Sequence, residues 1–164
     1  MYRWIIFLHV IGAFGFILAH GATSSIMFRL GYEKDRARVS VLLELARSKW
    51  VAGVGWGSSL LFLITGIALG FMGGWWRSGW IWSSLAILIV LTIVMGYYGR
   101  GFFDPLISAL GLAPYEGQEP GKPDHEVGDD EFEALLQAGR PWVLTISGLL
   151  GWAAVLWLMM FKPF

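Results

Sequence analysis

The chain has 164 residues, enough for one domain, and 56% of them are hydrophobic while only 15% are charged. With ten Trp and a mean hydropathy of +0.61, a soluble domain of this size has too little interior to hide its apolar surface, so the composition points to a polytopic membrane protein. Twelve basic against twelve acidic residues argue against a nucleic-acid partner, and the lack of Cys excludes disulfides, thiolate catalysis and iron–sulfur clusters.

The opening stretch, MYRWIIFLHVIGAFGFILAHGATSS, carries one basic residue and then a long apolar run. A signal peptide has an apolar region of roughly 7–15 residues ahead of a small-residue cleavage site. This run is longer, and its small residues gather at the far end, so it reads as a retained first span from about Trp4 to Phe28. The next segment, GYEKDRARVSVLLELARSKW, places Val41, Leu42, Leu45 and Trp50 at near-helical spacing, with Glu44, Arg47 and Lys49 mostly elsewhere. That pattern predicts an amphipathic surface helix running into the second span.

The second span runs from about Val51 to Met72 and is rich in glycine. Gly53 and Gly57 lie four apart, as do Gly66 and Gly70. Small residues at this spacing let helix backbones approach closely in lipid, where no hydrophobic drive separates helix from solvent. The third span runs from about Trp80 to Tyr98. FFDPLISALGL then predicts a short interfacial helix, APYEGQEPGKPDHEVG an irregular segment, and DDEFEALLQAGRP a helix capped by Asp129 or Asp130 and ended by Gly139. His125, between Asp124 and Glu126, could touch a divalent cation, but a solvated acidic loop is the simpler reading. Pro141 suits the first turn of the fourth span, about Trp142 to Phe161, in which Ser147 and Gly151 repeat the small-residue spacing.

The expected fold is therefore all-α, a single membrane domain over residues 1–164 built as a four-transmembrane-helix bundle. Trp and Tyr cluster at the span ends, as amphipathic rings do at the headgroup level. Arg29, Lys34, Arg36, Arg38, Arg47, Lys49, Arg100, Lys122 and Arg140 fall on the side of the two longer connections, against Arg3, Arg77 and Lys162 on the other. The excess of basic residues puts those connections in the cytoplasm and both termini outside. All the acidic residues share the cytoplasmic side.

His9 and His20 are the chemistry-bearing residues of the spans. Eleven residues apart, they fall about 20° beyond three full turns and about 16 Å apart along the axis, on one stripe of the first helix. At that separation they cannot ligate one metal ion, and no other span carries a His. A haem b held here is five-coordinate or takes another sixth ligand, for which Met95, Met159, Met160 or a group from a second chain are the candidates; His with Met also suits copper. The alternative for each imidazole is a structural hydrogen bond. No phosphate-binding loop, His-Glu-x-x-His or Ser–His–Asp arrangement is present, so an enzyme is the less favoured class. No Asp, Glu or Lys lies inside the spans, which argues against proton relay and ion-coupled transport.

RWIIFLHVIGAFGFILAHGATSSIMFRL, a basic loop and a glycine-rich span ending LITGIALGFMGGWW resemble the small bacterial integral membrane proteins with an LHVLGA-type first helix. Those are similar to the copper-resistance-D-like group, which includes the HemJ-type membrane protoporphyrinogen oxidases. The resemblance covers residues 3 to about 110. It implies a bacterial cytoplasmic membrane location and a haem-binding role for His9, the position matching an early first-span His of the HemJ-type proteins. Those enzymes use a basic residue in a later span, and this chain has none inside spans two to four. The favoured expectation is a non-enzymatic packing or accessory subunit of a larger membrane complex, respiratory or photosynthetic, or of a homo-oligomer. The alternative is a haem b- or copper-binding membrane protein with first-span His ligands.

Overall fold

The computed structural model describes residues 1–113, 119 and 127–164. Among the described residues the chain is helical, with no strand: α1 (Tyr2–Leu30), α2 (Arg36–Ala46), α3 (Lys49–Gly73), a 3-10 turn (Trp75–Arg77), α4 (Gly79–Ala109), α5 (Asp129–Gln137) and α6 (Pro141–Phe161). Four of these helices, α1, α3, α4 and α6, are long and apolar enough to cross a membrane. His125, with Asp124 and Glu126, lies outside the described residues.

The long helices pack as two main pairs, α1 along α3 and α4 along α6, with a lighter contact between α1 and α6. Glycine makes the first pair possible. A Cβ on Gly12 would stand 2.7 Å from the Phe62 backbone nitrogen and 3.0 Å from the Ser58 carbonyl oxygen, and one on Gly15 would strike the Ser58 hydroxyl. In the second pair Gly151 makes room for Leu91, and Gly148 for Met95. Hydroxyls along the spans mostly donate to carbonyls of their own helices, as Ser84 does to Trp80 and Thr92 to Leu88 at 2.8 Å. Lipid offers no other acceptor, so this internal pairing lets polar residues sit in apolar helices.

The best-buried core lies at one end, where the ends of the first and fourth predicted spans meet the connecting segments. Met27 and Leu30 of α1, Val39 and Leu43 of α2, Phe102 and Leu106 of α4, Phe132 and Leu136 of α5, and Leu144 of α6 close over one another. Leu30, Val39, Leu43 and Leu106 have no exposed surface at all. We call this end the cap. Each such leucine contributes roughly 1.5–3 kcal/mol by leaving water.

The cap departs from the sequence expectations in three places. The buried stripe of α2 is Val39, Leu42, Leu43 and Ala46, whereas Val41, Leu45 and Trp50 point outward. The helix also stops at Ala46, and the Ser48 hydroxyl caps a separate α3 by accepting from the Val51 N–H. The segment from Phe102 onward is no separate helix: α4 runs through Pro105 to Ala109 with Leu110 as its C-cap, and Gly111 just beyond turns the chain away with a φ of 61° that suits a residue without a Cβ. Pro105 removes one backbone N–H, and burial of Phe102 and Leu106 on either side holds the helix through it. Gly128 is the N-cap of α5, so Asp129, Asp130 and Glu131 occupy its first turn, where the helix dipole favours negative charge. Ala138, ahead of Gly139, is its C-cap, and Pro141 opens α6 as expected.

Ion pairs bind the rim of the cap. Lys34 Nζ is 2.8 Å from Glu133 Oε1, and Arg36 reaches Asp129 at 2.9 Å while its guanidinium lies 4.5 Å from the centre of the Phe132 ring. The hydrogen bond from Lys34 to Glu133 and the carboxylate's charge raise the ammonium pKa above the ordinary lysine range. A raised pKa in the folded state means the pair contributes below lysine's usual pKa and is lost as pH rises through the higher folded value. In thermal unfolding, wild type is expected to lose its small margin over Lys34→Met as pH climbs from neutral through and beyond the ordinary lysine range. A margin that persists there, or that grows, contradicts the pairing.

Candidate functional site

At the end opposite the cap, Gly74 closes α3 in the left-handed conformation, with φ 66°. The chain then turns through Trp75 and Trp76 into α4, where Trp80 is buried. Trp75 and Trp80 lie 5.6 Å apart by ring centres, and Trp82 donates its Nε1–H to the Trp76 carbonyl at 3.0 Å. Lys162, just past α6, places Nζ 3.9 Å from the centre of the Trp75 ring. The Trp80 N–H donates to the Phe164 carbonyl, which ties this turn to the chain beyond α6.

His9 faces α3. Its Nδ1 lies 3.0 Å from the Phe62 carbonyl oxygen and 3.1 Å from Thr65 Oγ1. The ring stacks on Phe62 at 4.3 Å between centres and 19° between planes. Its Cε1 comes 3.0 Å from where a Gly66 Cβ would be, so Gly66 is the gap that admits the imidazole. Thr65 is buried and donates its own hydroxyl to the Leu61 carbonyl. Nε2 of His9 has no hydrogen-bond partner among the described residues, yet it is not one of the sealed polar atoms. It remains accessible.

His20 faces α6. Its ring runs parallel to Phe16, 3° between planes, and its Nε2 is 2.8 Å from where a Gly148 Cβ would stand. That nitrogen is sealed and has no hydrogen-bond partner among the described residues; Thr145 Oγ1 on the same stretch of α6 is likewise sealed and unpartnered. The Met95 methyl crowds Gly148 from α4, 3.1 Å from the same Cβ position.

The shared stripe of α1 therefore serves two neighbours. His9 lies against α3, and its pocket is also lined by Met159; His20 lies against α6 beside Met95. Met160 is 72% exposed. Among the other residues singled out for packing, Gly66 meets His9, Gly70 meets the Trp76 ring, and Gly151 meets Leu91, whereas a Cβ on Gly53 or Gly57 would touch nothing. The Ser147 hydroxyl donates to the Leu144 carbonyl of its own helix. Gly66→Leu and Gly70→Leu are each expected to lower the melting temperature of the detergent-solubilised protein, because both faces already hold a ring. Unchanged melting would remove these contacts from the α1–α3 and turn interfaces.

Haem b can be tested against these positions. A metal-bound imidazole presents one nitrogen to the metal while the other donates to a carbonyl or carboxylate. His9 meets that pattern, with Nδ1 on a carbonyl and Nε2 bare, and Met159 shares its pocket. His20 does not, because its Nε2 is pressed on α6 and nothing can approach it unless that helix moves. Among the described residues no group of three or more His, Asp or Glu could hold a metal ion.

Sequence reasoning missed Ser58, Thr65 and Gly148. Thr65 is a polar residue next to a glycine inside an apolar span, which is the signal of an imidazole's partner. Gly148 gave no signal, because its neighbours Ser147 and Gly151 carried the small-residue spacing. Comparison with protein-family models, curated proteins and solved structures yields no match.

Proposed function

We propose that the chain is a non-enzymatic accessory subunit of a larger assembly in a bacterial cytoplasmic membrane, with the cap in the cytoplasm and both termini outside. The observation that carries this reading is the bare face of α3. Gly53 and Gly57 have nothing within reach of a Cβ, and Trp50 and Trp56 flank them with 84% and 79% of their surface exposed. In the most apolar window of each long helix only 11–22% of the residues are buried within the chain. Lipid covers such a surface in part, but close-spaced glycines beside large rings suit another helix better than acyl chains.

The test is paired. Gly53→Leu with Gly57→Leu is expected to leave thermal unfolding of the isolated chain unchanged while removing its co-purification with other subunits, or with itself, from native membranes. A particle of one-chain mass from mild detergent, the same in wild type and variant, would defeat the proposal. The orientation is checked separately by cysteine labelling: single Cys introduced at Ser40 or Glu133 should be shielded from an impermeant maleimide in intact cells, and one at Ser78 should react.

A further inference from the structure

Between the helix pairs, at the end away from the cap, lies a partly open pocket of about 250 Å³. His9 of α1, Gly66 of α3, Ser84 of α4 and Met159 of α6 contribute to it, and the flat rings of Trp75 and Trp80 form part of its wall. Its hydrogen-bonding character follows from where the protons are. A carbonyl oxygen only accepts, so the 3.0 Å contact with Phe62 fixes the proton of a neutral His9 on Nδ1. Nε2 is left with a lone pair and no hydrogen. Ser84 donates its proton to the Trp80 carbonyl at 2.8 Å and offers only its oxygen. The cation of the pocket, Lys162, is folded over Trp75. Tyr2 and Trp76 also line the pocket, and the Trp76 Nε1–H is sealed without a partner among the described residues, so the wall is mixed, but its bare ring nitrogen at His9 accepts only. A ligand complementary to that nitrogen must bring its own O–H, on an otherwise apolar body.

We propose that this pocket binds a hydroxyl-bearing aromatic amphiphile, a phenol or hydroquinone ring on an apolar tail, whose hydroxyl donates to His9 Nε2. The ring lies within the apolar wall that Ile6, Leu63 and Leu85 share with the tryptophans, and the tail leaves through the open side. A glycerol-type headgroup could supply the O–H but has no ring to match the wall. A haem would set two propionates against one lysine already occupied. The inference concerns the pocket alone and does not depend on the bare face of α3.

The experiment measures binding of a radiolabelled decyl hydroquinone to the full chain in nanodiscs, under argon with ascorbate, less its uptake by empty nanodiscs. The same measurement is made with the dimethyl ether of that compound, which keeps ring and tail but has no O–H. Saturable binding is expected, about tenfold tighter for the hydroquinone than for the ether. His9→Phe should bring the hydroquinone down to the affinity of the ether. Because His9 also holds α1 to α3, a second variant is needed that leaves that bond intact: Ile6→Trp, which fills the pocket, should abolish binding of both compounds. Equal affinity for hydroquinone and ether overturns the proposal, as does unaltered binding in Ile6→Trp. A Soret band in protein from native membranes, lost in His9→Ala, overturns it in favour of haem.

Discussion

Gly12→Leu is expected to destabilise the chain by about 3 kcal/mol, the upper end of what overpacking costs. The reason is the identity of the obstacle. At most close glycine contacts here the opposing atoms belong to side chains, which can rotate aside. At Gly12 they are the backbone nitrogen of Phe62 and the carbonyl oxygen of Ser58, both fixed in the hydrogen-bond ladder of α3. To admit even a methyl group, α1 must lift from α3 along the interface that also carries the His9 bond to Phe62. Unfolding of the detergent-solubilised chain by SDS, followed by circular dichroism, measures the loss. Gly57→Leu is the control, with an expected effect within about 0.5 kcal/mol, because that position faces no other part of the chain. Equal losses at both positions would mean that α1 and α3 do not meet as described.

The second large effect is expected in the cap. Leu43→Ala and Leu106→Ala each remove a side chain with no exposed surface, from α2 and α4 respectively. Such truncations cost roughly 2–5 kcal/mol, set by how far the surroundings collapse into the space. Here α2 and α5 are short, and the ion pairs at their rim are exposed, so little else holds them down. Amide hydrogen exchange should therefore quicken across α2 and α5 in both variants while the amides of α1 around Gly12 and of α3 around Phe62 and Thr65 keep their protection. Uniform acceleration along the chain would instead make the cap and the spans one cooperative unit.

The four long helices were legible because length and apolarity are single-helix properties that need no knowledge of neighbours. Their ends were less so. The third span was expected to stop near Tyr98, with a separate short helix after it; Arg100, Asp104 and Pro105 follow that end in the sequence. They are harmless to a helix that leaves the apolar zone and is held by the cap core, so α4 extends to Ala109. In α2 the run VSVLLELA offers apolar residues on more than one face, and a helix of 11 residues is too short for periodicity to choose between them. Only the surface of α1, α4 and α5 selects Val39, Leu42, Leu43 and Ala46. The histidine stripe was right as helix geometry, but it could not assign the two imidazoles to different neighbours. That assignment depends on where α1 leaves α3 and meets α6, which is a property of the packed bundle. Nor could spacing alone separate Gly66, filled by a ring, from Gly57, filled by nothing.

The composition of the cap core carries a consequence for how the protein is made. Its buried residues run from Ile26 to Leu144 along the chain, whereas α1 and α3 are both complete by Gly73. Emerging from the ribosome, the first pair of spans has all it needs to associate while more than half of the sequence is still to come. The cap cannot close until the last helix has begun to appear. Ribosome-stalled chains with the second span clear of the exit tunnel should already hold His9 against Phe62, and only chains extended at the C-terminus far enough to expose Leu144 should acquire a protease-resistant cap. The two ends of the molecule are thus separated in time as well as in space.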